Sequence, residues 1–236
     1  MKMIGLAAAA ALSFGAVASA NITMTYLGSG LHQTSGVNYN ASRSWDARTA
    51  ASFTTIKTGQ LRWNVWGKER VMFCVQLFEG NTVGTSYEYE CTDIANVPDA
   101  PPSPGPMGEI KATIVSELYR RFYSQTNTDL GASAFALALY EITHENLDSS
   151  SAEGAAAQLS LANGAFQASA GSSAFSTAAA MLASLGQGSF QGVGNNLIGL
   201  TNPDHQDQIV LVPIGAPAVI AGLGLLGVGL LRRRMK

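Results

Sequence analysis

The sequence predicts an α+β domain: an antiparallel β-sandwich or barrel with inserted helices, flanked by a signal peptide and one C-terminal transmembrane helix. Three observations carry this reading. Short β-branched or alternating segments follow one another between residues 51 and 94. Two windows with helical periodicity follow a proline cluster. Charge-free apolar stretches lie close to both ends of the chain.

At the N-terminus, Lys2 precedes an apolar stretch from Ile4 to Val17, and Ala18-Ser19-Ala20 is a small-x-small cleavage site. This is the pattern of a secretory signal peptide over 1–20, with the mature chain starting at Asn21. Residues 21–207 form the exported domain, its core spanning about 51–200, and 208–236 form a tail.

Within the domain, Ala51–Lys57 and Leu61–Trp66 read as a hairpin turned at Gly59-Gln60. Arg70–Phe78 is a largely apolar strand, and Ser86–Ile94 alternates aromatic and acidic residues as a half-buried strand does. Five prolines between Pro98 and Pro106 then interrupt regular structure. Glu109–Tyr123 places Ile110, Ile114, Val115, Leu118, Tyr119 and Phe122 on one helical face. Ala132–Asn146 is apolar almost all round, which predicts a central helix. Asn163-Gly164 between alternating flanks predicts a second hairpin, and Phe175–Leu185 a third helix. Leu197–Leu200 and Gln208–Leu211 read as closing strands.

Charge narrows the function classes. All 16 acidic residues fall in 21–207, against nine of the 14 basic ones. A surface with seven excess negative charges does not suit a phosphate backbone, so nucleic acid is not an expected partner. The only cysteines, Cys74 and Cys91, lie in the exported part, where an oxidising compartment predicts a disulfide between them. Closing that short loop contributes at most about 3 kcal/mol.

The tail is the most informative segment. Val212-Pro213-Ile214-Gly215-Ala216-Pro217 leads into an uncharged Ala/Gly/Leu/Val stretch ending at Leu231, then Arg232-Arg233-Arg234-Met235-Lys236. The run from Ile209 to Leu231 is long enough to cross a hydrocarbon core of about 30 Å at about 1.5 Å per residue. The basic cap stays on the cytoplasmic side and leaves the domain outside. This order of box, apolar segment and arginine cluster resembles the PEP-CTERM sorting signals of Gram-negative bacteria, in the subclass reading Val-Pro-x-x-x-Pro. Here Ile214-Gly215 stands in place of the usual Glu-Pro. The resemblance implies an exosortase-type enzyme as partner. It also implies anchoring in the inner membrane, cleavage near Val212, Pro213 and Pro217, and delivery to the cell surface or an exopolysaccharide matrix.

A second resemblance covers roughly Arg70–Leu200. Met72-Phe-Cys74-Val-Gln-Leu77, together with Ala134-Phe-Ala-Leu-Ala-Leu-Tyr140-Glu-Ile142, is similar to the thioester-type domains of bacterial surface proteins. That family pairs an aromatic–Cys strand with a helix reading Gln-x-Ala-Leu-Trp-Glu-Ile. Cys74 matches the cysteine, and Tyr140 takes the place of the tryptophan. Ala136 occupies the glutamine position and supplies no acyl carbon, which implies a degenerate domain without the crosslink.

Other constellations are weaker. Glu141, His144 and Glu145 share a helix face, but a single Glu-x-x-His copy falls short of the paired motif of di-metal bundles, so no metal and no cofactor is expected. Cys74 with His144 is a nucleophile–base pair to be tested against the fold. Asp204-His205-Gln206-Asp207 reads as a solvated stalk. Trp45, Trp63, Trp66, Tyr87 and Tyr89 read as core or as a sugar-stacking platform. The leading expectation is a non-enzymatic surface or matrix protein; an exopolysaccharide-binding module and a cysteine-based covalent adhesin are the competing classes.

Overall fold

A computed structural model of the protein describes residues 21–39, 53–99, 104–191 and 196–212. The signal peptide, Trp45, and the tail from Pro213 through Pro217 to Arg232, Arg233 and Arg234 lie outside the described residues. Among those described, no helix is long and apolar enough to cross a membrane.

The protein is an antiparallel, sheet-rich α+β fold with four α-helices among the described residues. Its strands are β1 (Asn21–Tyr39), β2 (Thr54–Val65), β3 (Lys68–Cys74), β4 (Ser86–Thr92), β5 (Phe166–Ala168), β6 (Leu197–Thr201) and β7 (Gln208–Leu211). The order is β2-β3-β7-β6-β4-β1-β5, and β1 also pairs with β2. Six strands therefore close into a ring. Alternation along β1 turns Ile22, Met24 and Tyr26 inward. They meet Trp63, Val65, Met72, Tyr87, Tyr89, Leu200 and Val210 in a first core that fills the barrel.

The second core lies around the helices α1 (Gly108–Phe122), α2 (Asp129–His144), α3 (Ala152–Ala156) and α4 (Phe175–Leu185). As its composition predicts, α2 is central: every residue from Gly131 to His144 is buried. Thr128 caps its N-terminus by accepting the Gly131 N–H at 3.0 Å. The distal half of the long β1–β2 ribbon packs on α2, where the Thr58 hydroxyl bonds those of Ser35 and Ser133. At the other end of the helix, the Lys111 ammonium donates to the carbonyls of Thr143 and Glu145, complementing the helix dipole.

The strand at Ser86, the closing strands, α1, α2 and α4 lie close to their sequence-predicted positions. Three expectations are corrected. Residues 54–65 form one continuous strand, not a hairpin; Gly59 (φ +148°) sits at a register shift where β1 and β2 approach too closely for a side chain. The real hairpin joins β2 to β3 through Trp66-Gly67, both at positive φ (51° and 75°), as a two-residue primed turn requires. Asn163-Gly164 turns no hairpin, because β5 pairs with the far end of β1. Gly164 instead wraps the Glu145 carboxylate, which accepts the Ala165 N–H at 2.8 Å. Finally, the sheet extends past the expected end of the exported domain at 207 and into the expected tail. Gln208–Leu211 is a barrel strand that cannot also belong to a membrane segment.

Candidate functional site

Of the residues singled out for chemistry, Cys74 and Tyr140 come together at one end of the barrel. The thiol is buried on the last residue of β3. It donates to the Gln76 carbonyl at 2.7 Å, and its sulfur accepts the Gln76 N–H at 3.4 Å. From α2, the Tyr140 hydroxyl is its side-chain neighbour. Burial pushes the thiol well above the usual cysteine range, and the Gln76 bond opposes this only in part. Burial likewise raises Tyr140. A protonated thiol in these surroundings packs as a small apolar group and is a weak donor.

The expected Cys74–Cys91 disulfide is not formed; both residues are free. The ladders show why. Cys74 pairs with Gln208, Gln208 with Leu200, and Leu200 with Cys91. Three strand spacings of about 4.8 Å separate the two sulfur-bearing positions, whereas a bridge needs Cα atoms within about 7 Å. Cys74 packs in the helix-side core and Cys91 against the barrel core.

Ala136 and Tyr140 lie one turn apart on α2, both buried. Ala136 brings no carboxamide to this region. The Gln76 side chain is directed elsewhere, its amide bonding the Glu79 carboxylate and the His205 carbonyl. The Glu141, His144, Glu145 set diverges. Glu141 Oε1 accepts from the Ser160 N–H at 2.7 Å, Glu145 holds Ala165, and the His144 ring packs among Tyr39, Phe78, Tyr140 and Phe166. Among the described residues, no group of three or more His, Cys, Asp and Glu side chains is arranged to hold a metal ion. A cavity of about 180 Å³ opens beside Cys74 and Tyr140, with His32, Lys57, Gln60 and Gln206 also lining it. That volume falls below the several hundred Å³ of a typical small-molecule site.

Compared with protein-family models, with curated proteins and with solved structures, the chain matches none of them. The sorting-signal and thioester-domain resemblances therefore stand on their motif residues alone.

The stacking platform is taken apart by the fold. Trp63, Tyr87 and Tyr89 point into the barrel, where the Trp63 ring lies 5.0 Å from Tyr26 and 5.5 Å from Tyr89. Among the described members of the set, Trp66 alone is outward, 74% exposed on the β2–β3 turn. The stalk reading of 204–207 is also overturned. These residues form the β6–β7 connection, and Asp207 is fully buried.

Asp207 is the residue that the sequence concealed. Its Oδ1 accepts the Asn202 N–H at 2.8 Å and its Oδ2 the Asp99 N–H at 2.7 Å. Burial raises it to about 8, against the pull of those two amides, and the neighbouring Asp99 carboxylate adds to the rise. Asp99 is itself raised by burial. Its position just before an apolar strand, in a turn rich in Asn, Asp and Pro, is what such a turn-fixing carboxylate looks like in sequence.

Proposed function

We propose that this is an exported, non-enzymatic surface or matrix protein, held at the inner membrane by its tail before sorting. One observation carries the reading. Strand β1 includes Asn21, the residue that the cleavage rule makes first in the mature chain, and β7 ends at Leu211, one residue before the sorting box. Among the described residues, the six-stranded ring is closed by strands that reach both expected processing points. The buried, protonated Cys74 and the small cavity beside it support a packing role for that end of the barrel. An exosortase-type enzyme then acts on the segment from Val212 to Pro217, and the arginine cluster keeps the C-terminus on the cytoplasmic side until it does.

The deciding experiment is the intact mass of the protein from its native producer, without reductant. The expected species starts at Asn21 and ends close to Val212, with both thiols free. A species that retains 213–236 leaves a membrane-anchored protein and removes the sorting step.

A further inference from the structure

We infer that the end of the barrel carrying the β2–β3 turn docks on the lipid headgroup region, with Trp66 seated in the membrane interface. The inference rests on the anchored-tail reading and adds an orientation and a contact residue to it.

Asn21, the Trp66-Gly67 turn and Val212 all lie at one end of the barrel. Asn21 starts β1, beside Glu90 near the end of β4. Leu211 ends β7 beside Leu197, the first residue of β6, and the Val212 N–H continues the ladder to the Asn196 carbonyl at 2.8 Å. The β3–β7 register pairs Phe73 with Ile209 and Cys74 with Gln208. Continued along the strands, it sets Val212 level with Arg70, three residues from Gly67, or about 10 Å. Cys74 and Asp207 occupy the other end.

The tail limits how far this rim stands from the bilayer. Only 213–217 separate Val212 from the continuous apolar stretch, and five residues reach at most about 17 Å. The rim from which the chain departs is therefore tethered within one headgroup layer and a little more.

The rim's surface fits that position. Trp66 is 74% exposed, although Trp63, three residues earlier, is entirely buried. A tryptophan held outward on a rigid two-residue turn spends little conformational entropy on insertion, and its ring and N–H suit the apolar–polar boundary of a membrane. Lys68, the next residue after the turn, is exposed and faces the same layer, where anionic headgroups attract it. Leu211, 37% exposed, adds apolar surface beside the departing chain.

The test uses the full chain with its tail, reconstituted in phosphatidylethanolamine/phosphatidylglycerol vesicles with and without brominated acyl chains. In a Trp45→Phe background only Trp63 and Trp66 emit. Brominated lipid is expected to quench that emission, and adding Trp66→Phe is expected to abolish most of the lipid-dependent quenching. Flotation separates the two levels of the argument. A chain that fails to float with the vesicles overturns the anchored-tail reading and this inference with it. A chain that floats but shows no Trp66-dependent quenching overturns the inference alone. Protection of Trp66 by soluble exopolysaccharide in place of lipid quenching overturns it in favour of a sugar-stacking role.

Discussion

Asp207 and Asp99 share one buried site, the Asp99 N–H lying 2.7 Å from Asp207 Oδ2 with the two carboxyl groups side by side. Asp207 is raised from 3.8 to about 8, so the folded state binds a proton that the unfolded chain gives up near pH 4. The sign follows: this group favours folding fully below pH 4, and the contribution falls as pH rises, vanishing above about 8. The slope in that window is at most about 1.4 kcal/mol per pH unit. Glu79, Asp204, His205, Cys74 and Tyr89 face the same region. Asp99→Asn removes the neighbouring like charge and is expected to flatten the stability profile between pH 5 and 8. Thermal midpoints across that range check it; an unchanged profile means that the two carboxyls are not coupled.

The two tryptophans of the β2 strand and its turn separate core from surface. Trp63→Ala empties the barrel centre and is expected to cost about 3–5 kcal/mol. Trp66→Ala touches an exposed turn and is expected to stay within about 0.5 kcal/mol. Chemical denaturation of both variants measures the contrast, and comparable losses would contradict the inward placement of Trp63.

Gly59 has a clearer backbone role than a turn. A Cβ there would lie 2.3 Å from the Leu31 carbonyl oxygen, and its φ of +148° disfavours any L side chain. Gly59→Ala is expected to destabilise the domain by about 2 kcal/mol or more, within the range for forced backbone strain. A loss below half of that would show that β1 and β2 can separate at the register shift.

Thiol chemistry reports on the two cores. Denatured without reductant, the protein is expected to react with two equivalents of a thiol reagent, since neither cysteine is bridged. In the native state Cys91, only partly buried, is expected to react first, and Cys74 only as fast as the fold opens. Zero equivalents in the denatured protein would restore the disulfide.

Much of the fold was legible because its signals are local. The apolar faces of α1 and α2, the aromatic–acidic alternation of β4 and the two closing strands are periodic within single segments. What escaped depends on partners far along the chain. β1 is rich in Gly, Ser and Thr and carries little hydrophobic signal beyond Tyr26, yet it pairs with β2, β4 and β5. Gly59 and Asn163-Gly164 looked like turn residues. The first serves a close strand approach and the second makes room for Glu145, and neither is distinguishable from a hairpin in sequence. At the candidate site, the motif that joins Cys74 to Tyr140 in sequence corresponds to two neighbouring side chains in the fold. The disulfide failed because compartment and spacing carry no information on the two strands that intervene. Asp207 was misread because polar residues before an apolar run resemble a stalk until β7 is recognised as a wall of the barrel.

The position of β7 between β3 and β6 makes Gln208–Leu211 the strand that closes the ring. Until Gln208–Leu211 is in place, β3 and β6 each present an open edge. A chain that crosses the membrane N-terminus first delivers that strand last, immediately ahead of Val212 and Pro213. On the proposed reading, ring closure and arrival of the tail are then nearly one event. On the proposed reading, the box from Val212 to Pro217 follows directly on the strand that closes the ring, so a cut there leaves every strand of the barrel in place.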